Sequence, residues 1–388
     1  MPRKLPTVMA AAMTASLSVF AAGSALSADL MYASGLPAGH PMNANGIAPL
    51  VDHLAPELDL ELISGGQLFK LKEALHSVGA GIADMSMVLP AYHPSELPHA
   101  GLPFNLLLLT RNELAAAGAT AETFYKDCPK CMEDYARSNT ISLGNISIGG
   151  YSLMCRDEFK TVSDIKGKRV RVTGSLGRWA QHLGGVPVSM TATEMVESLQ
   201  RGVLDCVMGF TAWYKTYAIQ DSIKSIYNYN IGATGSVGIV TANLDSWNGL
   251  SDEKKHTLWD SMPFVISSAM VPGYIAQDIA ARKLAVSNGI EIVDGAGEIT
   301  PIWEEYKGSE LTQVNENASK LGVENPEEIA DAYLKNYAKW VGLINEAGLS
   351  EIHAGGDLLE ADALEAARVV FEKLLKEHVY DQVDPTKL

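Results

Sequence analysis

The stretch GKRVRVTG, residues 167–174, carries the clearest pattern of charged side chains that could bind an anion. Alternation places its two valines on one face of a predicted strand and Arg169, Arg171 and Thr173 on the other. Two interpretations are open. The strand is a sheet edge with a solvated basic face, or one guanidinium lies at the strand's end and pairs with the anionic group of a ligand.

Four cysteines, Cys128, Cys131, Cys155 and Cys206, are the next residues with chemistry of their own. Zinc sites usually combine two close pairs of ligands, and only the first two cysteines are close in sequence, so zinc is disfavoured. The motif CPKC follows a predicted helix instead of closing a strand before a helix, which disfavours a thioredoxin-like redox site. Disulfides in an oxidising compartment are preferred. We expect the pairs Cys128–Cys131 and Cys155–Cys206, with the other two connectivities left open by the sequence.

The sequence lacks the common motifs of enzyme sites. There is no His-Glu-x-x-His metal motif, no Walker-type phosphate loop and no Gly-x-Ser-x-Gly nucleophile elbow. His40, His93 and His99 fall in proline-rich turns, no two histidines have the spacing of metal ligands, and we expect these three at the surface or in loops. No pair of carboxylates stands out as acid and base. The pattern predicts a binding protein without catalytic residues, metal or cofactor.

The first 28 residues have the features of a secretory signal peptide. Arg3 and Lys4 precede an apolar run rich in Ala and Leu, and small residues place cleavage between Ala25 and Ala28. The alternative is a membrane anchor, which the Ser and Thr in the run disfavour. No later stretch reaches the ~18 consecutive apolar residues of a spanning helix. We therefore expect an exported, soluble chain with no direct membrane insertion.

The charge balance restricts the partners. Lys and Arg number 30 against 46 Asp and Glu, a net charge of −16 at pH 7. Such a chain repels nucleic acid and anionic lipid, so neither is expected as a partner. An anionic ligand would need a local positive site.

Strands alternate with helices in two successive regions, which predicts two α/β units with largely parallel sheets. Gly149 and Gly150 break a long strand region between them and predict a hinge. In such folds ligands lie beyond the carboxyl ends of strands and in clefts between domains. Arg171 is closer to the carboxyl end of its strand than Arg169, so Arg171 is the preferred anion-binding residue.

Residues 161–209 resemble the core signature of the solute-binding proteins of TRAP (tripartite ATP-independent periplasmic) transporters, the DctP-like family. A D-x-K-G turn leads into the strand with the arginine, and helices and strands with the motifs G-x-x-P-V-x-M and E-x-x-x-x-L-Q-x-G-x-x-D follow in order. Further stretches resemble the family along most of the chain: GLPAGHPM, SGGQLFKLKEALHSVGAGIADMSM, LPF and NLDSWNGLSDEKK.

The resemblance implies a class II-like, two-lobed periplasmic binding fold with hinge strands and long bracing helices. We expect lobe I to begin with residues 29–150, lobe II to span 151–235, a return to lobe I at 236–280, and a helical part, 281–388, that completes lobe II and braces both lobes. The resemblance to the family also implies that Arg171 pairs with a ligand carboxylate. It further implies that the protein is periplasmic and works with TRAP membrane permease subunits. We expect a monomer.

Two positions depart from the family pattern. Many members have an asparagine near the position of Gly209, and many carry a second arginine in the hinge strand, where Tyr151 takes its place. Polar ligand contacts are thus replaced by small or aromatic groups, which argues against a sialic-acid-like or simple dicarboxylate ligand.

Aromatic side chains are predicted to line the cleft instead. Trp179 starts the helix after the arginine strand, and Trp213, Tyr214 and Tyr217 follow the predicted strand that contains Gly209. Any one of these aromatic residues, taken alone, would be expected in the hydrophobic core. Together they suit an aromatic or hydrophobic carboxylate, or an amine or zwitterion held by cation–π contacts. Arg178 is a further basic candidate whose helix position could equally face solvent.

The sequence therefore predicts a protein that captures a small organic acid, with Arg171 as its clamp. The acid is preferred because the arginine would repel a bare cation. A protein that presents its ligand to a sensor kinase is an alternative with the same sequence features. A periplasmic enzyme is disfavoured.

Overall fold

The computed structural model of the protein describes Met1, residues 29–352 and residues 360–388. Apart from Met1, the predicted signal peptide and its cleavage position lie outside the described residues. The strands are β1 Leu30–Ala33, β2 Leu60–Ile63, β3 Met85–Val88, β4 Thr140–Ile146, β5 Tyr151–Cys155, β6 Arg169–Val172, β7 Val186–Ser189, β8 Cys206–Phe210, β9 Ser225–Asn228, β10 Val237–Asn243 and β11 Glu291–Asp294.

The α-helices are α1 Ala48–Leu54, α2 Ala74–Gly79, α3 Leu102–Asn105, α4 Glu113–Glu122, α5 Pro129–Arg137, α6 Leu176–His182, α7 Met195–Gln200, α8 Trp213–Thr216, α9 Leu244–Gly249, α10 Asp252–Asp260, α11 Met262–Ser268, α12 Ala276–Ser287, α13 Ala296–Lys320, α14 Pro326–Glu346 and α15 Ala361–His378. Short 3-10 and π-helical turns connect several of them, including 3-10 turns at Leu71–Glu73 and Pro90–Tyr92.

The strands form two separate sheets, one in each lobe. Lobe I holds the order β2-β1-β3-β10-β4, and lobe II holds β11-β9-β5-β8-β6-β7. Strands β1, β2 and β3 run parallel, as do β6, β7 and β8, and antiparallel strands join each set. Helices cover the sheets, so the strands are buried and consist mostly of apolar residues. The predicted two-lobed α/β fold is confirmed.

The chain crosses between the lobes at residues 147–150, again at 229–236, and a third time around the start of α12, whose Asp278 accepts from the Ala212 N–H of lobe II. The first two crossings are hydrogen bonded to each other, because Ile148 donates its N–H to Thr234 Oγ1 at 3.0 Å and Thr234 donates its N–H to the Ile148 carbonyl at 2.9 Å. Gly149 fits here because a Cβ would lie 2.5 Å from Glu113 Oε2, and Gly150 has φ +66°. These glycines lie in the connection between the lobes, where the sequence predicts a hinge.

The segment from residue 281 onward serves both lobes. Strand β11 pairs with β9 in the lobe II sheet. Helix α13 touches lobe I where Trp303 donates to the Leu108 carbonyl at 3.1 Å, and lobe II where Glu310 pairs with Arg178. Helices α14 and α15 pack mainly on α4 and α11 of lobe I. The described part of this segment thus braces lobe I more than it completes lobe II.

The helical stretch Asp252–Ser287 is long and apolar enough to cross a membrane by length and composition. However, 72% of its most apolar window is buried inside the structure, as in the core helices of soluble proteins.

Both predicted disulfides are confirmed. Cys128 is bonded to Cys131 at the start of α5, and Cys155 on β5 is bonded to Cys206, directly opposite it on β8. The second bond fixes two neighbouring strands of lobe II together.

Candidate functional site

Arg171 is buried between the lobes and is only partly satisfied by protein groups. Its side chain, on β6, is 1% exposed. Nε donates to the Met190 carbonyl at 3.0 Å and Nη2 donates to Tyr92 Oη at 3.4 Å, but Nη1 has no hydrogen-bond partner among the described residues. None of the ion pairs among the described residues includes Arg171. A buried charge of this kind is costly unless an anion completes its surroundings.

Arg169, two residues earlier on the same strand, is fully engaged in an ion pair. Its Nε and Nη2 donate to the two carboxylate oxygens of Asp205 at 2.9 and 2.7 Å, and Nη2 also donates to the Gly202 carbonyl. The Arg169 hydrogen bond lowers the pKa of Asp205 to about 2. With 44% of its side chain exposed, Arg169 is a surface residue with its own partner.

The Arg171 side chain lines a small cavity to which both lobes contribute residues. Its lobe I residues are Leu36, His40, Leu71, Met87, Leu89, Tyr92, Phe104, Val237 and Tyr274, its hinge residue is Ile148, and its lobe II residues are Tyr151, Arg171, Thr173, Ala192, Trp213 and Tyr217. Most of these side chains are apolar or aromatic, so the guanidinium faces a surface that suits an apolar ligand body.

An aromatic cluster forms the lobe II side of the cavity. The Trp213 ring centroid lies 5.0 Å from Arg171 Cζ, within cation–π distance. Tyr151 and Tyr217 contact the same tryptophan with centroid distances of 6.4 and 5.9 Å. Burial raises the pKa of both tyrosines, so their hydroxyls stay protonated and can donate hydrogen bonds.

Gly209 does not line the cavity but makes room for this cluster. A Cβ at Gly209 would lie 2.3 Å from Cζ3 of Trp213, well inside van der Waals contact. A larger residue would require the indole ring to move. Glycine at position 209 therefore leaves the space that the Trp213 ring occupies.

Tyr92 connects lobe I to the arginine. Its hydroxyl oxygen accepts from Arg171 Nη2 and, at 3.3 Å, from the backbone N–H of Ala192. The 3-10 turn Pro90–Tyr92 places the ring at the cleft. We did not single out Tyr92 from the sequence, because its role depends on how the lobes meet.

His40 is a correction to the sequence analysis. It lies in a loop, as expected, but is 3% exposed and lines the cavity between the rings of Tyr217 and Tyr274. Burial lowers the pKa of His40 to about 3, so the imidazole is neutral at pH 7. Nδ1 accepts from the Met42 N–H at 3.3 Å, which places the proton on Nε2.

Three predicted residues lie away from the cavity. Trp179 is buried in lobe II, where it packs against His182 and Tyr306. Tyr214 accepts a hydrogen bond from Asn288 at 3.0 Å in the same lobe. Arg178 forms its ion pair with Glu310 of α13, and burial raises the pKa of that glutamate. The structure thus brings Arg171, Tyr151 and Trp213 together and leaves Trp179, Tyr214 and Arg178 outside.

A surface ion pair joins the lobes beside the cavity. Lys72, next to the cavity residue Leu71, lies 3.2 Å from a carboxylate oxygen of Glu194 in lobe II. The Thr191 N–H donates to the same glutamate at 2.8 Å and holds it in position. Both charged side chains are about half exposed, so their contribution to lobe closure is modest.

Comparison with known proteins identifies the family to which this chain belongs. Residues 50–307 match the family of bacterial extracellular solute-binding proteins, family 7, DctP. An uncharacterised Salmonella typhimurium protein, YiiZ, is 29% identical over 159 residues, which are 38% of this chain and 46% of that protein. The chain thus matches about half the length of this curated relative.

Several solved structures share the fold. A TRAP periplasmic solute-binding protein from Bordetella bronchiseptica, with bound (R)- and (S)-mandelate, is 20% identical with a TM-score of 0.67, covering 80% of this chain and 98% of its own. A marine metagenome TRAP protein specific for aromatic acid ligands, in complex with metahydroxyphenylacetate, is 17% identical with a TM-score of 0.60, covering 91% and 99%. DctP6 of Bordetella pertussis, which binds pyroglutamic acid, is 18% identical with a TM-score of 0.64, covering 79% and 99%.

The family match, the two lobes and the arginine strand agree with one another. This chain belongs to the DctP family, family 7 of the bacterial extracellular solute-binding proteins.

Proposed function

We propose that this protein is the exported, periplasmic solute-binding component of a TRAP-type transporter. It captures a small carboxylate by closing its lobes and delivers the ligand to the membrane permease. The observation that carries the proposal is Arg171 Nη1, a buried cationic donor without a described partner that faces a cavity between two lobes. Capture without chemical turnover needs only affinity and closure.

The ligand that suits this cavity is a monocarboxylate with an aromatic or apolar body. Arg171 is the only Lys or Arg among the described residues that line it, so it can match one carboxylate. Trp213, Tyr151 and Tyr217 offer ring faces and edges to the rest of the ligand. The relatives with bound mandelate and metahydroxyphenylacetate support this ligand class.

His40 adds a second polar group to the proposed site. Its Nε2–H is a neutral donor, which suits a hydroxyl or keto oxygen better than a second carboxylate. We therefore place 2-hydroxy and 2-keto acids with aryl or branched alkyl groups first among the ligands. Amines and zwitterions, which the aromatic rings could also hold, come second because Arg171 opposes positive charge.

A thermal-shift screen tests the proposal. Aromatic acids, 2-hydroxy acids, sugar acids, dicarboxylates and small amines would be compared, each at saturating concentration. A ligand at a thousandfold excess over its Kd stabilises the native state by about 4 kcal/mol. We expect the largest shift with aryl monocarboxylates.

The matched variants are Arg171→Met and Arg169→Met. The first should abolish the acid-induced shift, and the second, which breaks only the exposed Asp205 pair, should leave it intact. If the two variants respond to acids alike, the proposed clamp is wrong. A shift with amines alone would keep the transport role and reject the acid. Pull-down with the permease separates transport from presentation to a sensor kinase.

A further inference from the structure

Three side chains with metal-binding atoms meet on lobe I, outside the ligand cavity. They are His76 on α2, His93 immediately after the 3-10 turn Pro90–Tyr92, and Glu96. One ring nitrogen of each histidine and one carboxylate oxygen of Glu96 all lie within 4.8 Å of one another. His76 Nε2 is 3.6 Å from Glu96 Oε1, and the two imidazole rings are nearly perpendicular with centroids 5.8 Å apart.

His93 is the buried member of this cluster. It is 3% exposed, and its Nε2 has no hydrogen-bond partner among the described residues. Buried polar atoms normally have partners, and an unpaired imidazole nitrogen beside two further donors calls for one.

The other two donors leave the cluster open to solvent. The His76 side chain is 63% exposed and the Glu96 side chain is 39% exposed. An ion can therefore enter from the surface and keep a water molecule. Both side chains also have room to rotate, which matters because ligands of a tetrahedral zinc ion with bonds of ~2.0–2.1 Å lie roughly 3.4 Å apart.

We propose that His76, His93 and Glu96 bind one divalent transition-metal ion, with Zn²⁺ as the preferred ion and water as its fourth ligand. Two imidazoles and one carboxylate are a known zinc donor set with an open position. Ca²⁺ and Mg²⁺ prefer sets made entirely of oxygen, so they fit poorly.

The proposed ion would join two segments of lobe I that both reach lobe II. His93 follows Tyr92, which accepts from Arg171, and α2 follows the turn that carries Lys72, the partner of Glu194. The metal would thus fix these two segments relative to each other. The site itself does not depend on the identity of the organic ligand.

The experiment is a titration of the metal-free protein, purified without a polyhistidine tag, with Zn²⁺ in competition with a chromophoric chelator. We expect one tight site, weakened on the order of 100-fold or more in His76→Ala and in Glu96→Gln, since even the loss of outer groups around a metal costs 10–100-fold. His256→Ala, at an exposed position of α10, is the matched control and should bind as the wild type does.

The two test variants change exposed side chains, so thermal melting should show that they remain folded. Co²⁺ gives an independent readout, because a tetrahedral Co²⁺ site absorbs visible light strongly and should lose that band in both variants. Zinc binding that is equal in wild type and His76→Ala would overturn the proposal. Absence of binding at millimolar Zn²⁺ would do the same.

Discussion

Lobe II contributes to the cavity a charge that is present at every accessible pH, whereas lobe I contributes neutral groups whose state depends on burial. The guanidinium of Arg171 stays charged because arginine is not deprotonated in proteins. Facing it, His40 is neutral because it is buried, and Tyr92 accepts a hydrogen bond from the arginine. Lobe II therefore supplies a fixed charge, and lobe I supplies neutral hydrogen-bonding groups.

The largest expected effect is an acid sensitivity that comes from His40. The unfolded chain binds a proton at this histidine near pH 6.5, but the native state does so only near pH 3, so stability falls as the pH drops below about 6.5. The loss approaches about 1.4 kcal/mol per pH unit, or about 3 kcal/mol by pH 4. His40→Gln should remove this share of the slope, measured as urea unfolding free energies from pH 7 to pH 4.

The control for that measurement is His256→Gln, which should keep the wild-type slope. Burial lowers the pKa of His93 to about 4, so the stability of both variants should still fall to some extent as the pH drops. Equal pH slopes for His40→Gln and wild type would show that His40 is not buried and neutral in solution.

The next effect concerns the aromatic side of lobe II. Gly209→Ala should lower the unfolding free energy by about 1–3 kcal/mol and weaken ligand binding, because the new methyl group overlaps the Trp213 ring. Gly308→Ala on α13 is the control, since nothing lies within 4 Å of its Cβ position, and it should be neutral or slightly stabilising. Chemical denaturation and ligand titration of both variants check this. If Gly209→Ala changed neither the unfolding free energy nor the ligand affinity, the Trp213 ring would be free to move.

A smaller effect is expected at the contact between the lobes. Tyr92→Phe removes the oxygen that accepts from Arg171 and Ala192, and it should weaken ligand binding by about 1 kcal/mol, or roughly fivefold, because both bonds are long. Isothermal titration with the best acid from the screen measures this loss. Tyr214→Phe, outside the cavity, should bind normally, and a matching loss there would refute the role of Tyr92.

The smallest effect belongs to the ion pair across the cleft. Lys72→Met should weaken ligand binding by no more than about 1 kcal/mol, and the loss should fade at high salt because both partners are half exposed. Lys254→Met, which breaks an ion pair with Asp29 inside lobe I, is the matched control. A salt-independent loss in Lys72→Met would contradict this account.

The contrast between the two lobes also explains which site residues could be predicted from the sequence. Arg171, Tyr151 and Trp213 follow from one local pattern of strands and helices, and the position of Arg171 nearer the carboxyl end of β6 separates it from Arg169. Trp179 and Tyr214 belong to the same pattern, but their helices turn them into the core of lobe II, and periodicity alone does not decide which face meets the cleft.

The lobe I side was not predictable in this way. His40, Tyr92 and Tyr274 come from distant parts of the chain and meet only through the tertiary fold, so no spacing reveals them. His76 and His93 likewise lack a metal-ligand spacing in the sequence, yet α2 and the turn after Pro90–Tyr92 bring them together.

The disulfide between β5 and β8 has a practical consequence for how the protein is made. Cys155 and Cys206 are 51 residues apart, and the loop they close contains Arg171. A cross-link over such a loop is expected to stabilise the native state by about 4 kcal/mol through its effect on the unfolded chain. Protein produced in a reducing cytoplasm would lack this bond and melt at a lower temperature than protein recovered after export. The production route is therefore a variable in every ligand screen, and the oxidation state should be measured before melting temperatures are compared.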